Sequence, residues 1–324
     1  MCCWISSEQR WRRKPPLRSR GKAVGGRRAA VSYTQILMKT LVNIHTGEVS
    51  GQQASEKEQV LFAKLGEHES MLIALSGGTD SAYLAWAAHR VLGKRALSVT
   101  ALSPSYSTYD REQLEKFLEA TAIRHEFVET HEMEKEAYRA NNADRCYFCK
   151  DELFAAMDQI AAERNFAATA YGVNADDTFD FRPGHRAAKE HRVLTPLLDA
   201  KLHKAEIRYL SERAGLPSWD RPASACLASR LPYGTDVTPE RLSLVERGEA
   251  ALRVLGFRQF RVRLHDKLAR IELAPDELPR ALSAEMAAAM ANALKEAGFT
   301  YVALDLEGYR QGSLNESLGK SAGT

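Results

Sequence analysis

The sequence lacks the features that define several classes of protein. Its 324 residues contain no apolar run that approaches about 18 side chains, which excludes a membrane-spanning helix. Cysteine occurs only five times, and this low, odd number excludes a scaffold stapled by disulfides. The remaining composition, with 44% hydrophobic and 27% charged residues, is typical of a water-soluble globular protein. We therefore expect a cytoplasmic protein, and the length suits two domains.

The net charge is small, and it is distributed unevenly along the chain. The formal net charge is +3, but residues 1–37 form a leader with nine basic side chains and the single acid Glu8. Residues 38–324 carry 36 basic and 41 acidic side chains, a net charge of −5. Nucleic acids attract basic surfaces, whereas residues 38–324, here called the body of the chain, are mildly acidic. We therefore expect no nucleic-acid partner and no membrane partner.

The basic leader contains one Pro-Pro and one Gly-Gly pair and shows no hydrophobic period, which predicts disorder. Three interpretations stay open. The leader is an extension upstream of a start at Met38, an Arg-rich targeting peptide, or an arm that binds polyanions. We favour the first, and we expect that a chain without residues 1–37 keeps its activity.

Strand-like apolar runs alternate with helical patterns between residues 38 and 236. Short apolar runs of this kind are typical of parallel strands that are buried on both faces. The alternation predicts an α/β domain with a doubly wound parallel sheet. The predicted strands are 71–75, 96–102, 125–129 and 167–172, and the predicted helices are 53–67, one ending near residue 92, 110–122, 150–164 and 202–214.

The pattern changes after residue 236. Two segments alternate in hydrophobicity and predict an antiparallel pair that is joined at Asp266-Lys267. The whole αββαβ block predicts a smaller C-terminal α+β domain over residues 237–316, followed by a polar tail at 317–324. Its predicted helices are 239–255 and 283–297, and its predicted strands are 260–265, 268–273 and 301–306.

An S-G-G-T-D-S motif at residues 76–81 stands between a buried strand and a helix. Glycines let backbone N–H groups approach an anion, and the start of the next helix adds partial positive charge. The Walker A pattern is absent, so this is a different phosphate loop. The motif resembles the PP-loop of N-type ATP pyrophosphatases, which have an adenine nucleotide alpha hydrolase-like fold. The resemblance implies ATP binding by Ser76, Gly77, Gly78, Asp80 and Ser81, with Asp80 near the Mg²⁺ that neutralises pyrophosphate.

Three cysteines remain for chemistry, because Cys2 and Cys3 lie in the leader and are expected to do none. Cys146 and Cys149 form a C-x-x-C motif that enters a helix, and Cys226 follows much later. A C-x-x-C motif suits a redox pair, half of a zinc site or part of an iron–sulfur site, and three unrelated cysteines are also an interpretation. Three thiolates can hold three irons of a [4Fe–4S] cluster, whereas a four-cysteine zinc site is disfavoured.

Cys226 is the best single candidate for the nucleophile. Arg221 and Arg230 flank it in the sequence, and nearby guanidinium charges favour the thiolate form of a cysteine. The histidines His185, His191 and His203 show no spacing that predicts a metal triad, so we assign them no chemistry.

Five segments together resemble the LarE family. The resemblance covers residues 50–316 and implies an ATP-dependent sulfurtransferase. Such an enzyme adenylates the carboxylates of pyridinium-3,5-biscarboxylic acid mononucleotide and converts them to thiocarboxylates for the nickel-pincer cofactor of lactate racemase-type enzymes. It also implies nickel-cofactor assembly proteins as partners, and we expect a homo-oligomer. The five segments are S-G-G-T-D-S at 76–81, R-C-Y-F-C-K at 145–150, G-V-N-A-D-D at 172–177, P-A-S-A-C-L-A-S-R at 222–230 and G-Y-R-Q-G-S at 308–313.

The resemblance assigns two alternative roles to the cysteines. Cys226 matches the position of a sacrificial cysteine, which loses its sulfur and becomes dehydroalanine. Cys146 and Cys149 match instead the three-cysteine members, which use a [4Fe–4S] cluster to carry exogenous sulfide. We favour the cluster, with Cys146, Cys149 and Cys226 as its iron ligands.

Charged residues are assigned to phosphate and metal in the same way. Arg261 and Arg263 alternate on one strand, so both point to one face, which suits either bidentate binding of a phosphate or a solvated strand face. The resemblance favours the first and implies that they bind the phosphate of the substrate mononucleotide. The resemblance adds nucleotide contacts from Asp176 and Asp177, and phosphate contacts from Ser229 and Arg230. It leaves Arg310 and Ser313 without a defined role. The assigned Mg²⁺ ligands are Asp80 and Glu272.

Other functions stay open at this stage. A tRNA thiolase has the same loop and three cysteines, but it would need a basic surface. An amidotransferase such as an NAD or GMP synthetase would give the cysteines no task. A nucleotide-binding regulatory protein without turnover is an alternative of another class. Release of pyrophosphate that depends on the pyridinium substrate would distinguish these functions from the sulfurtransferase.

Overall fold

The computed structural model describes residues 49–179, 183–222, 224–310 and 312–318 of the chain. The predicted basic leader lies outside the described residues, as does the end of the predicted tail. Within the described ranges, no helix is both long enough and apolar enough to cross a membrane.

A four-stranded parallel sheet, sheet A, forms the first part of the fold. Its strands are β1 (Met71–Ala74), β2 (Ala96–Leu102), β3 (His125–Glu129) and β4 (Ala168–Tyr171). The strands are ordered β3-β2-β1-β4, so the chain winds outward in both directions from β1. This order, with helices on both faces, confirms the predicted doubly wound α/β fold.

The helices of this part begin where short polar side chains can cap them. Ser50 accepts a hydrogen bond from the backbone of Gln53, and Ser107 accepts one from the backbone of Asp110. The helices are α1 (Gly51–Gly66), α2 (Thr79–Leu92), α3 (Thr108–Thr121), α4 (Glu136–Arg139), α5 (Arg145–Arg164), α6 (Gly184–Glu190), α7 (Pro196–Asp199) and α8 (Lys204–Arg213).

Strand β1 shows why sheet A carries helices on both faces. Successive strand residues point to opposite faces, and the neighbours Leu72 and Ile73 are both fully buried. Ile73 belongs to the cluster that includes Leu65 of α1 and Leu84 of α2, whereas Leu72 packs in the cluster of Phe154 from α5. A strand buried on both sides reads as an unbroken apolar run, which is the pattern that predicted it.

A smaller sheet, sheet B, follows in the C-terminal part. Its strands β5 (Phe260–His265) and β6 (Leu268–Leu273) pair antiparallel through a turn in which Asp266 has a φ of +53°, as predicted for this hairpin. Strand β7 (Tyr301–Leu304) pairs parallel with β6, which requires a crossover between them. The helices around sheet B are α9 (Pro239–Val254), α10 (Leu278–Ala281) and α11 (Ala284–Glu296).

Helix α5 begins earlier than the sequence pattern predicts. Its first residue is Arg145 rather than residue 150, so the C-x-x-C motif lies within the first two turns of the helix. The backbone of Asp144 precedes the helix without a side-chain cap, and the first turn has no apolar period. Arg145 anchors this turn to other parts of the chain. Its buried guanidinium donates to Asn141 Oδ1 at 2.5 Å and to the Ala228 carbonyl at 2.8 Å.

Candidate functional site

The phosphate loop, residues 76–81, joins β1 to α2 at the carboxyl end of sheet A. Gly77 has a φ of +78°, which glycine adopts without strain. Ser81 Oγ accepts the Ser76 N–H at 3.2 Å, and the two hydroxyl oxygens lie 3.0 Å apart. Helix α2 begins directly after Gly78, so its unpaired N–H groups point toward the loop. Backbone N–H groups at the start of a helix suit an anion, which agrees with the predicted role of the loop.

Gly172, the residue after β4, packs so closely against this loop that it has no room for a side chain. A Cβ atom at Gly172 would lie 2.7 Å from the nitrogen and 2.8 Å from the Cα of Ser81. The neighbouring atoms belong to the backbone, so they cannot move aside as a side chain would. The glycine of the G-V-N-A-D-D segment is therefore required for β4 to pack against the start of α2.

Asp80 lies in the first turn of α2 and has two unlike oxygens. Its Oδ2 accepts a hydrogen bond from the ammonium group of Lys204 at 2.7 Å. Its Oδ1 is buried and has no hydrogen-bond partner among the described residues. Carboxylate oxygens are the ligands that Mg²⁺ prefers, so this oxygen fits the predicted metal role. Sequence reasoning missed Lys204, because a lysine at the start of a helix carries no distinguishing signal.

Asp176 and Asp177 lie near Asp80, and both bind backbone. Asp176 accepts the Lys204 N–H at 2.7 Å and contacts His203 Nδ1 at 2.7 Å, which caps the start of α8. Burial opposes ionisation of Asp176, but these bonds hold its pKa below the usual range. Asp177 Oδ2 accepts the Asn174 N–H at 3.1 Å. Asp176 thus holds the start of α8, whose Lys204 reaches Asp80 beside the phosphate loop.

The segment after α8 connects the phosphate loop with Cys226. Arg221 donates to the Gly77 carbonyl at 2.5 Å and forms an ion pair with Asp110. Ser224 Oγ also donates to Asp110, at 3.3 Å. Arg221 flanks Cys226 in the sequence, but the structure directs its guanidinium to the loop instead of the thiol.

The three body cysteines, here called the thiol site, lie close to one another, and two of them lie beside the buried guanidinium of Arg145. Cys146 and Cys149 lie in the first two turns of α5, and Cys226 directly precedes a 3₁₀ turn (Leu227–Arg230). Arg145 Nη2 lies 3.7 Å from Cys146 Sγ. Burial alone would lower the pKa of Arg145, but the charges of Cys226 and Cys146 raise it above its usual range. Arg145 is thus a cation next to the thiols that sequence reasoning did not assign.

Cys149 and Cys226 pack together at the edge of an apolar cluster. Both contact the buried core of sheet B. Burial raises the pKa of the Cys149 thiol to about 12, and the charge of Cys226 adds to this effect. Because the thiolate is the nucleophilic form of cysteine, burial makes Cys149 less reactive than an exposed thiol.

Asn141 ties the cysteine helix to the segment of Cys226. It accepts from Arg145, and its Nδ2 donates to the Pro232 carbonyl at 2.8 Å. The N–H of Gly234 donates back to the Asn141 carbonyl at 3.1 Å. Because Arg145 also reaches Ala228, the two cysteine-bearing segments are held together by a buried polar network.

The thiol site fits a three-cysteine iron–sulfur centre in the chemistry of its donors. Thiolates are the ligands of such clusters, and Arg145 supplies a buried positive charge beside them. The positions of the side chains do not form a metal site in this conformation. Among the described residues, no group of three His, Cys, Asp or Glu side chains is arranged to hold a metal ion. Iron ligation by Cys146, Cys149 and Cys226 therefore stays a prediction.

Three buried arginines, here called the arginine cluster, lie where the Leu227–Arg230 turn meets β5. They are Arg230, Arg261 and Arg263, and each is at most 8% exposed. Arg263 Nη1 donates to the Ser229 carbonyl at 2.6 Å, which joins the strand to the turn. The predicted pair on one strand face is thus inside the protein.

Each of two arginines in the cluster has a buried carboxylate partner. Arg230 pairs with Glu249 at 2.8 Å, and Arg263 pairs with Glu272 at 2.8 Å. Burial opposes ionisation of Glu249, yet the charge of Arg230 holds its pKa below the usual range. Glu272 also binds Arg270 at 3.0 Å, so both of its oxygens contact guanidinium groups. The structure therefore makes Glu272, predicted as a Mg²⁺ ligand, an ion-pair partner.

Arg261 has a different environment from the other two. Its Nη1 donates to the Phe260 carbonyl at 2.6 Å, and its guanidinium lies 4.9 Å from the centre of the Tyr309 ring. Burial lowers the pKa of Arg261 to about 10, and the charge of Arg230 adds to this effect. Guanidinium groups are the side chains that bind phosphate with two parallel hydrogen bonds, so the three arginines keep the chemistry that the predicted phosphate role needs.

Ser229 and the late motif line the same cluster. Ser229 Oγ accepts from Arg230 at 2.9 Å and donates to the Cys226 carbonyl at 2.7 Å. Ser313 Oγ accepts from Arg263 at 2.9 Å, whereas Arg310 pairs with Glu307 at 2.7 Å. The thiol site and the arginine cluster are therefore adjacent, with Ser229 between them.

Comparison with known proteins adds the family. One relative is the pyridinium-3,5-bisthiocarboxylic acid mononucleotide synthase of Lactiplantibacillus plantarum, which is 32% identical over 268 residues, 82% of this chain and 96% of the relative. This chain belongs to the LarE family. Members of this family are ATP-dependent sulfurtransferases, so the chain is an enzyme of that class.

Two further relatives are uncharacterised proteins. An uncharacterised protein of Synechocystis is 43% identical over 255 residues, 79% of this chain and 95% of its own length. An uncharacterised protein of Methanocaldococcus jannaschii is 30% identical over 170 residues, 52% of this chain and 66% of its own length. No model of a known protein family matches the chain.

Proposed function

We propose that this LarE-family enzyme converts the carboxylates of pyridinium-3,5-biscarboxylic acid mononucleotide to thiocarboxylates at the expense of ATP. The observation that carries the proposal is a series of contacts that links the phosphate loop, Cys226 and the arginine cluster. Arg221 contacts the phosphate loop, its segment leads to Cys226, and Ser229 joins Cys226 to the arginine cluster. The Lactiplantibacillus relative is named as the synthase of such a bisthiocarboxylic acid mononucleotide. The proposal includes nickel-cofactor assembly proteins as the partners that would receive this product.

The first step is assigned to the phosphate loop. A substrate carboxylate oxygen attacks the α-phosphorus of ATP, a new O–P bond forms, and pyrophosphate leaves with the electrons of the broken P–O bond. The loop N–H groups, Ser76 and Ser81 bind the phosphates. Asp80 would hold Mg²⁺ through its unpartnered Oδ1, and the ion would neutralise the pyrophosphate charge.

The second step is assigned to the thiol site. A sulfur nucleophile attacks the carbonyl carbon of the acyl-adenylate, a C–S bond forms, and AMP leaves with the electrons of the C–O bond. If Cys226 itself is the nucleophile, later cleavage of its Cβ–S bond leaves dehydroalanine. Otherwise the cysteines would hold a [4Fe–4S] cluster, which supplies an open iron for exogenous sulfide. We favour the second route because the chain has Cys146 and Cys149 in addition to Cys226, as the three-cysteine members do, and because Cys149 and Cys226 pack on the same apolar cluster.

The arginine cluster is assigned to the phosphate of the mononucleotide. Arg261 and Arg263 would bind phosphate oxygens from β5, and Arg230 with Ser229 would bind from the neighbouring turn. This placement sets the pyridinium carboxylates between the cluster and the phosphate loop, next to Cys226. Homo-oligomerisation remains part of the proposal.

Pyrophosphate release from ATP tests the proposed function. The wild-type enzyme should release pyrophosphate only when the pyridinium mononucleotide is present. Cys226→Ala should abolish thiocarboxylate formation and spare pyrophosphate release, whereas the leader variant Cys3→Ala should change neither. Release that requires tRNA instead of the mononucleotide would overturn the proposal.

Intact mass after turnover separates the two sulfur routes. A chain lighter by the elements of H₂S would show that Cys226 had become dehydroalanine. Unchanged mass with multiple turnovers on added sulfide would support the cluster route. Iron content and the absorption spectrum of anaerobically purified protein report on the cluster independently.

A further inference from the structure

Lys204 occupies one of the two carboxylate oxygens of Asp80 in the phosphate loop. Its ammonium group donates to Asp80 Oδ2 at 2.7 Å, whereas Oδ1 is buried and has no hydrogen-bond partner among the described residues. The side chains of Lys204 and Asp80 are 34% and 19% exposed, so solvent and salt screen this ion pair less than a pair at the surface. The proposed reaction assigns a metal ion to Asp80 but no task to Lys204.

The backbone of Lys204 is fixed by the segment that follows β4. Asp176 Oδ2 accepts the Lys204 N–H at 2.7 Å, and Asp176 Oδ1 lies 2.7 Å from His203 Nδ1. The Ala175 N–H donates to the Leu202 carbonyl at 2.9 Å, which adds a backbone bond between the same two segments. The start of α8 is therefore anchored through several bonds, and Lys204 extends toward Asp80 from a fixed base.

An ammonium group on Asp80 opposes the binding of a metal ion to the same carboxylate. The single negative charge of Asp80 is balanced by Lys204, so a divalent ion at Oδ1 would meet a neutral pair and would be repelled by its cation. Mg²⁺ is usually bound by one or two carboxylates together with substrate phosphates. The negative charges of a triphosphate would offset the repulsion. Metal binding at Asp80 should therefore depend on the nucleotide.

We propose that Lys204 is a positioning residue that keeps a divalent metal ion off Asp80 until a nucleotide is bound. It acts through the carboxylate, because it holds Oδ2 and leaves Oδ1 for the metal. The enzyme thus takes up the metal ion and ATP together. No covalent bond forms or breaks in this step. The inference rests on the proposed sulfurtransferase function, in which Asp80 holds Mg²⁺.

Lys204→Met tests the charge, because methionine is unbranched like lysine and carries no charge. Binding of Mn²⁺ in place of Mg²⁺ is measured by electron paramagnetic resonance, without nucleotide and with α,β-methylene-ATP, which cannot release pyrophosphate. Without nucleotide, the variant should bind Mn²⁺ about tenfold more tightly than the wild type, since the repulsion is lost. With the analogue, the two affinities should differ less. An unchanged or weaker affinity without nucleotide overturns the proposal.

Two further variants show whether the gain comes from charge and whether it arises at Asp80. Lys204→Arg keeps the positive charge, so its Mn²⁺ affinity without nucleotide should stay close to that of the wild type. Adding Asp80→Asn to Lys204→Met should cancel the gain in affinity. A gain in the arginine variant, or a gain that survives Asp80→Asn, overturns the proposal. Lys204→Gln repeats the measurement if the methionine variant does not fold.

Lys57→Met is the matched control for a structural role of Lys204. Lys57 forms an ion pair with Glu206 of the same helix α8 at 2.8 Å, and its side chain is 28% exposed. The exchange removes an ion pair that anchors α8 and leaves the contact between Lys204 and Asp80 in place. Its Mn²⁺ affinity should equal that of the wild type in both conditions. An equal gain in both methionine variants would mean that a looser α8 is the cause, which overturns the proposal.

Pyrophosphate release separates this inference from the proposed function. If the wild type releases no pyrophosphate with ATP and the pyridinium mononucleotide, the proposed function fails, whatever the Mn²⁺ affinities are. If it does release pyrophosphate and Lys204→Met gains no Mn²⁺ affinity without nucleotide, the sulfurtransferase function stands and the role of Lys204 is refuted.

Discussion

The phosphate loop and the arginine cluster both suit anions, but they are built in opposite ways. The loop consists of six consecutive residues and offers backbone N–H groups, two hydroxyls and the start of α2. The arginine cluster gathers side chains from the Leu227–Arg230 turn and β5, and it holds them with carboxylates from α9 and β6. One site is local in the sequence, and the other exists only in the folded chain.

The difference extends to how each site depends on its surroundings. Backbone dipoles need no counter-charge, so the loop depends chiefly on shape, as the close approach of Gly172 shows. Buried guanidinium groups need partners, because an unpaired charge inside a protein is strongly destabilising. Substitutions near the loop should therefore act through geometry, and substitutions near the cluster should act through charge.

The largest effect is expected from Glu272→Gln, which removes a buried charge from the arginine cluster. Arg263 and Arg270 would lose their shared partner, and the free energy of unfolding should fall by about 3–5 kcal/mol in chemical denaturation. The matched control is Glu115→Gln, which breaks the exposed Arg111 pair and should change stability little. Equal effects of the two variants would show that the cluster does not depend on paired charge.

Asp80→Asn should have the next largest effect, and on catalysis instead of stability. Removing the charge that would hold Mg²⁺ should slow pyrophosphate release by about a hundredfold or more, which corresponds to about 2.7 kcal/mol in the barrier. Circular dichroism should show an intact fold. Asp158→Asn, an exchange of the same kind at an exposed residue paired with His191, should leave the rate unchanged. A rate close to wild type in Asp80→Asn would remove Asp80 from the metal role.

Gly172→Ala tests the geometric dependence of the phosphate loop. The added methyl would press on the backbone of Ser81, and overpacking of this kind costs about 1–3 kcal/mol of stability. Weaker ATP binding should accompany it, measured by calorimetry. Gly66→Ala is the control, because its Cβ would meet only Val91 Cγ1 at 3.7 Å, an ordinary contact. If both glycines tolerate alanine, β4 does not constrain the loop.

The smallest effect is expected at His191, which lies in neither anion site and gives a baseline. Burial opposes its protonation, but Asp158 at 2.6 Å and Asp151 at 3.2 Å raise its pKa above 6.5. The pair therefore adds stability that is fully present below about pH 6.5 and is lost as the pH rises through the folded pKa. The stability difference between wild type and His191→Gln should shrink over that window in urea titrations. A difference that grows with pH would contradict the raised pKa.

Regular elements were predictable wherever a local pattern decides them. The strands of sheet A and the β5–β6 hairpin lie within one or two residues of their predicted bounds, because burial on both faces and the alternation of one face leave clear periods. The start of α5 was not predictable, since Arg145 stabilises its first turn through Asn141 and Ala228. The parallel pairing of β7 was likewise invisible, because strand order depends on a crossover and not on strand composition.

The sequence by itself determined the doubly wound fold, the phosphate loop and the choice of the three cysteines as candidates for chemistry. Each of these follows from a pattern of residues that are close together in the sequence. Tertiary structure alone decided which charges meet. It directed Arg221 to the phosphate loop, placed Arg145 among the thiols and paired Glu272 with Arg263. The physical reason is range: backbone turns and hydrophobic periods act over a few residues, whereas an ion pair forms between whichever side chains the packing of distant elements brings together.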